Sequence, residues 1–422
     1  MNLSLTSKKY IEKYMLDYID DKDVCWNKRD NNTTFIYKSL YKDIQEAFLH
    51  VLELSDTDCM KGLLYKDKEI KNPKSFSSYY MSAEIKKYIE MYGKHQITFT
   101  CSILDRQVTI SFMIFSNSEL KRLETYQKYA EYMYTWLYIC IKYSSKKCAN
   151  NLHIFMYHTP YHKTIPKTKT EIIGTEHINS AYTTSCVQNG EVVIFRKEEW
   201  FKVFVHETMH IYGLDFSSYQ YTELIDKVKK IFPINSKFSI TDAYCETWAR
   251  IINCAFTSFL SLKKTDNISN FLMYMDVLIQ MEKFFSIKQA VYVLQFMGLT
   301  YQDLYSTDDI LRNTMYREKS HVFPYYIITA MFMNDFQGFL SWCKYNNTKQ
   351  SNTKQTRSNI KNKHNKSYFI QFNYSEENIE DFGNYIQNIY KSNEFLNGIA
   401  TIQKYKREQK DDTLRMSIVE FK

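Results

Sequence analysis

The stretch Lys197-Glu-Glu-Trp-Phe-Lys-Val-Phe-Val-His-Glu-Thr-Met-His-Ile-Tyr-Gly213 decides how the rest of the chain reads. Its apolar residues recur at helical spacing, Glu198 and Glu199 fall in the first turn where acids suit the helix dipole, and Gly213 supplies a stop. Inside this helix stands His206-Glu207-Thr208-Met209-His210. Histidines four apart lie on one face about one turn apart, so both imidazoles reach a single ion. Glu207 projects beside them, placed to hold and deprotonate a water on that ion. Zinc turns such a water into a nucleophile by lowering its pKa from about 15.7 to about 7. A helix with two purely structural histidines is the bland alternative. It requires burying two His and a Glu in apolar company without a partner, which is costly.

A catalytic zinc site needs a third protein ligand and an open fourth position. Two continuations of the motif compete. In HExxHxxGxxH the chain matches as far as Gly213, but Phe216 occupies the ligand position and Asp215 comes one residue early. In the other a Glu arrives on a later helix, and Glu246 in Tyr244-Cys245-Glu246-Thr247-Trp248-Ala249 is best placed. That helix opens at Ser239-Ile240-Thr241-Asp242, a capping-box variant, and Ala249 lets it approach the first helix closely. Glu223 and Asp226 are nearer in sequence but sit in a charged stretch that reads as a solvated face. The expected metal ligands are therefore His206, His210 and Glu246, with Glu207 as general base. An i,i+4 ion pair to Arg250 is the structural alternative for Glu246.

Working outward, residues 96–115 alternate around Asp105-Arg106 and predict a β-hairpin. A helix is expected over 118–144, a strand at Leu152–Tyr157, an extended edge segment over 177–184, a turn at Asn189-Gly190 and a strand at Val192–Phe195. Helices follow at roughly 219–232, 240–262, 267–285, 286–297 and 322–343. A helix over 375–391 starts at Ser375, and a short tail runs to residue 422. The expected fold is helix-rich α+β. Residues 1–95 form a mostly helical region without visible chemistry. Residues 96–343 form the functional domain, with a sheet half (96–213) and a helical half (214–343). A linker (344–367) and a C-terminal helix and tail (368–422) complete it.

The order strand, HExxH helix, turn, helix, Glu resembles that of the gluzincin zinc metallopeptidases. The resemblance implies a mixed sheet whose edge strand binds substrate antiparallel above the active-site helix, Zn2+ as cofactor, and a protein or peptide substrate. The stretches HINSAYT, FRKEEWFKVFVHETMHIYGLDFS, YCETWARI and HVFPYYI look like those of uncharacterised zincin-like proteins of large double-stranded DNA viruses, a similarity covering roughly residues 96–343. In gluzincins a carboxylate often follows the ligand Glu by four residues and orients a ligand His. Arg250 stands there in this chain, so that role passes to Asp215 or Asp242. Peptide hydrolysis also needs a group aimed at the developing oxyanion. His321, Tyr325 and Tyr326 are the candidates, with His321 preferred. His177, Asn179 and Ala181 are placed on the edge segment, and His153, His158 and His162 receive no site role. The expected activity is a zinc-dependent endopeptidase. The alternative is a zincin-like structural or virion protein that does not cleave peptides, which an intact Glu207 argues against.

Composition narrows the partners. The net charge of +8 invites a nucleic-acid reading. However, Lys344, Lys349, Lys354, Arg357, Lys361, Lys363 and Lys366 account for all but one of those charges, in a segment with no acid. The basic balance belongs to one low-complexity connector, so nucleic-acid contact is expected only weakly, through 344–367. The apolar run Tyr132–Ile141 is about half of the ~20 residues a membrane crossing needs. The N-terminus has no apolar core of a secretory signal. Nine scattered Cys with no CxxC pair read as free thiols in a reducing compartment, cytoplasmic or virion.

Overall fold

A computed structural model describes residues 1, 3–19, 28–55, 57–74, 76, 79–348, 368–404 and 412–421. Most of the expected 344–367 linker lies outside the described residues. The fold is helix-rich with one mixed sheet, an α+β arrangement. Its strands are β1 (Leu63–Lys66), β2 (His95–Ile103), β3 (Arg106–Ile114), β4 (Asn151–Thr159), β5 (Ala181–Thr183) and β6 (Asn189–Arg196). They lie in the order β1-β2-β3-β4-β6-β5. The hairpin β2–β3 turns at Leu104 and Asp105, as the alternation predicts. β3, β4 and β6 run parallel, and β5 returns antiparallel along β6 as the edge strand. β1 was not legible, and it extends the sheet into the first 95 residues by pairing with β2.

The helices before the HExxH segment are α1 (Leu5–Ile19), α2 (Asn31–Glu53), α3 (Ala83–Tyr92), α4 (Asn117–Leu120), α5 (Leu123–Tyr143) and the single turn α6 (Thr175–Ile178). The motif helix is α7 (Trp200–Ile211), followed by α8 (Thr222–Ile231), α9 (Ile240–Leu260) and α10 (Ile268–Phe296). Beyond them lie α11 (Ile310–Met315), α12 (Thr329–Asn334), α13 (Phe336–Asn347), α14 (Glu376–Ile389) and α15 (Asn393–Lys404). α10 is one helix where two were expected, because nothing between residues 285 and 286 breaks its hydrogen bonding. The expected 322–343 helix is divided into a π-helical stretch (Phe323–Ile328), α12 and α13.

α5 and α7 cover one face of the sheet and α3 the other, where Ile85 and Ile89 meet Phe155, Tyr157, Val193 and Phe195. Burial on both faces explains why the β4 and β6 sequences show little polar alternation. Asn189-Gly190 opens β6 rather than forming the turn, which falls just before it. α7 is fixed from behind by α5, since Trp136 Nε1 donates to Thr208 Oγ1 at 2.7 Å. It stops in a Schellman arrangement, with Leu214 N donating to Met209 O and Gly213 at φ 62°. A Cβ there would lie 3.1 Å from Cys148 Sγ, a second reason for glycine.

The tail is no surface appendage. Residues 412–421 run as an extended, buried strap. Its Met416 and Ser417 N–H groups donate to the Glu199 carboxylate, and Val419 N to Glu282. Glu198 therefore lies before α7, and Glu199 is its left-handed N-cap, serving the strap. Among the described residues two cysteine pairs lie close enough to bond, Cys59 with Cys101 and Cys148 with Cys186, while Cys140, Cys245, Cys254 and Cys343 are free and buried. Among the described residues no helix is long and apolar enough to cross a membrane.

Candidate metal centre

α7 and α9 pack face to face and set two i,i+4 pairs against each other, His206 with His210 and Asp242 with Glu246. The histidine Nε2 atoms are 3.2 Å apart. Asp242 Oδ1 lies 3.4 Å from His210 Nε2 and 4.0 Å from His206 Nε2. These three atoms fall within 4.8 Å of one another. The other ring nitrogens face carboxylates. His210 Nδ1 lies 2.6 Å from Asp215 Oδ2, and His206 Nδ1 lies 3.4 Å from Glu246 Oε2 without a hydrogen bond to it or to any other described residue. A carboxylate at Nδ1 favours the proton there and leaves a lone pair on Nε2. Two such lone pairs and a carboxylate oxygen then converge on one point, a donor set suited to a cation. Tetrahedral zinc with Zn–N of about 2.0–2.1 Å sets nitrogen donors roughly 3.3 Å apart, close to the spacing here.

Glu246, expected as the third ligand, does not join these atoms. Its oxygens each lie 2.9 Å from Lys202 Nζ, and Oε1 also takes the Arg250 Nε proton at 3.0 Å. The reason is charge. Lys202 on α7 and Arg250 on α9 are both buried, and Glu246 is the acid in reach of both. Burial works against ionising Glu246, but Lys202 and Arg250 hold its pKa well below the usual carboxylate range. Asp242, read as a capping acid, turns into the site instead, and Ser239 makes no side-chain cap bond. Burial opposes its charge too, yet the His210 and His321 rings beside it hold its pKa low.

Glu207 lines the same cavity, which has a volume of about 250 Å³. Burial raises its pKa, against the pull of His206 and His210, so this carboxylate has more proton affinity than a solvated one. His321 Nδ1 lies 2.5 Å from Asp242 Oδ2. Burial lowers the proton affinity of that ring, but the bond to Asp242 raises it further, giving a net upward shift. Tyr325 sits on the π-helical stretch with its ring 5.7 Å from that of His206 and also lines the cavity. Tyr326 does not, since its hydroxyl donates to Leu414 O.

The other expectations sort as follows. Asp215 is behind His210, in the orienting position. Glu223 and Asp226 are exposed on α8. Asn179 and Ala181 reach the cavity, whereas His177 lies on α6 with Nδ1 accepting from Gly174 N. His153 and His158 lie within β4, and His162 faces Glu198. Sequence reasoning missed Tyr79 and Tyr80, which reach the cavity from a turn before α3, Tyr80 stacking on Tyr182 of β5 at 5.8 Å. No periodicity marks that turn. It also missed Lys202, although its position one turn before His206 placed it on the ligand face.

Comparison with protein-family models, curated proteins and solved structures finds no match to this chain.

Proposed function

We propose that this chain is a metal-dependent peptidase of the zincin type, with Zn2+ held by His206, His210 and Asp242. One observation carries the reading: three lone-pair donors converge within 4.8 Å beside a cavity-lining glutamate of raised proton affinity. When bound, zinc supplies an acidified water and polarises a peptide carbonyl. Glu207 takes the proton of that water and passes it to the leaving amine, a task its raised pKa suits. Asp215 holds the His210 ring by its Nδ1 edge, and the Glu246 carboxylate faces that edge of His206. His321, whose proton affinity Asp242 raises, and the Tyr325 hydroxyl are the groups that stabilise the oxyanion. β5 is the last strand of the sheet and lines the cavity through Ala181, Tyr182 and Thr183, which supports an extended peptide lying along it.

Exposing a mixed peptide library to the zinc-loaded protein tests this reading, with Glu207→Gln alongside. Cleavage by the wild type only, with equal zinc in both proteins, is expected. A zinc-loaded wild type that cuts no peptide overturns the peptidase reading and leaves a metal-binding structural protein.

A further inference from the structure

The outer edge of β5 has a defined hydrogen-bonding register. Phe195 N donates to Ser180 O, so Ser180–Phe195 and, two residues on, Tyr182–Val193 are the hydrogen-bonded pairs of β5 and β6. Ala181 and Thr183 therefore turn their N–H and C=O groups away from β6, to the side where no further strand lies among the described residues. Successive side chains of β5 go to opposite faces of the sheet. Ala181 packs into the core shared with α5 and α7, whereas Tyr182 packs against Ile85, Ile89 and Val193 on the α3 face.

A strand added antiparallel to β5 pairs its backbone with Ala181 and Thr183. Its residue opposite Tyr182 falls in a non-hydrogen-bonded pair, where facing side chains come closest, and it points to the α3 face. The residues on either side of it point to the α7 face, toward the metal centre.

Three rings meet where that side chain arrives. Tyr80 stacks on Tyr182 with centroids 5.8 Å apart and planes at 20°, and Tyr79 meets Tyr80 edge-on at 4.8 Å and 90°. All three residues line the cavity. Tyr79 is 64% and Tyr80 41% exposed. Single exposed aromatics are ordinary, but two in contact, resting on a third at an unpaired sheet edge, leave a patch of ring surface that the fold does not cover. Burial and Tyr79 raise the pKa of the Tyr80 phenol, and Asp242 and Glu207 raise it further, so this ring stands within electrostatic reach of the metal centre.

We propose that Tyr79, Tyr80 and Tyr182 form a subsite for an aromatic side chain of the bound peptide, carried by the residue paired opposite Tyr182. This rests on the peptidase reading for the peptide as ligand and for its course along β5. An aromatic side chain gains edge-to-face or offset contacts with these rings beyond what its buried area alone gives, which sets it apart from an aliphatic one of similar size.

The test uses the full chain as zinc-loaded Glu207→Gln, which binds without turnover. End-blocked hexapeptides of Ala and Ser carrying one Phe, Leu, Arg or Glu at each position in turn are titrated by calorimetry. At one position Phe is expected to bind about threefold to tenfold tighter than the other three. p-Benzoylphenylalanine at that position should crosslink on irradiation to Tyr79, Tyr80 or Tyr182. Tyr80→Ala should remove most of the preference, and Tyr80→Phe should keep it. If Tyr80→Ala does not fold, Tyr79→Ala, a change at an exposed ring, should still reduce it. No position favouring Phe, tighter binding of Leu, Arg or Glu at the crosslinked position, crosslinking elsewhere, or a preference untouched by these alanine variants overturns the subsite. Phe-selective binding crosslinked to these rings, without cleavage by the wild type, removes the peptidase reading and keeps the subsite. Cleavage without that preference does the reverse.

Discussion

Lys202 Nζ stands 2.9 Å from both carboxylate oxygens of Glu246, deep between the two helices that carry the candidate metal centre. The contact decides which acid of α9 faces the histidines. With Glu246 neutralised by Lys202 and Arg250, Asp242 one turn earlier is the carboxylate left to complete the donor set. Asp242→Ala should therefore abolish stoichiometric zinc binding. Glu246→Gln should weaken it by only about 10–100-fold, the usual cost of losing a group that orients a ligand histidine. Chelator competition on the two variants measures this.

The same contact governs stability. Lys202→Met leaves Glu246 short of a partner in a buried site and should cost about 3–5 kcal/mol. Lys202→Met combined with Glu246→Leu removes both charges and should recover much of that loss, although zinc affinity stays reduced. Urea unfolding of the two variants gives the comparison.

Acid sensitivity should come in part from two histidines remote from the metal centre. Burial lowers the pKa of His153 to about 4 and of His158 to about 3. His158 Nε2 has no hydrogen-bond partner among the described residues, and its ring lies among Phe112, Tyr129 and Trp200. Both folded pKa values lie below the unfolded value of about 6.5. As pH falls through 6.5 the unfolded chain takes up protons that the fold refuses, so stability drops until pH reaches about 3–4. His158→Gln should flatten the fall in urea midpoint between pH 7.5 and about pH 4.5.

Gly213 ends the motif helix at φ 62° against the Cys148–Cys186 disulfide. Gly213→Ala should destabilise by about 1–2 kcal/mol, since a left-handed residue gains a Cβ in a filled space. It should also lower zinc affinity, because the Cys186 N–H donates to His210 O. Thermal unfolding with and without zinc separates the two effects.

Alkylation of the denatured, unreduced protein should leave Cys59, Cys101, Cys148 and Cys186 unlabelled, and label Cys140, Cys245, Cys254 and Cys343. Labelling of all eight of these cysteines contradicts the pairing.

The motif helix, the hairpin and the helices around the site were legible because each carries a local signal: periodicity, a turn pair or a cap. The His206, Glu207, His210 face follows from spacing alone. The Asp242 geometry does not. Asp242 and Glu246 share one face of α9, and only the positions of Lys202 and Arg250 decide which carboxylate is left for the histidines. Lys202 sits on a different helix, so that choice is tertiary. Tyr79, Tyr80 and the buried 412–421 strap were invisible for a related reason. Their irregular segments have no period, and packing against distant residues positions them. The disulfides join cysteines 38 and 42 residues apart, and no sequence spacing selects such pairs.

The most direct test of the central claim is a crystal structure of the zinc-loaded protein with anomalous scattering recorded at the zinc edge. One ion bonded to His206 Nε2, His210 Nε2 and an Asp242 oxygen is expected, with Glu246 still held by Lys202. An ion bonded to Glu246 instead of Asp242, or no ion between the two histidines, contradicts it.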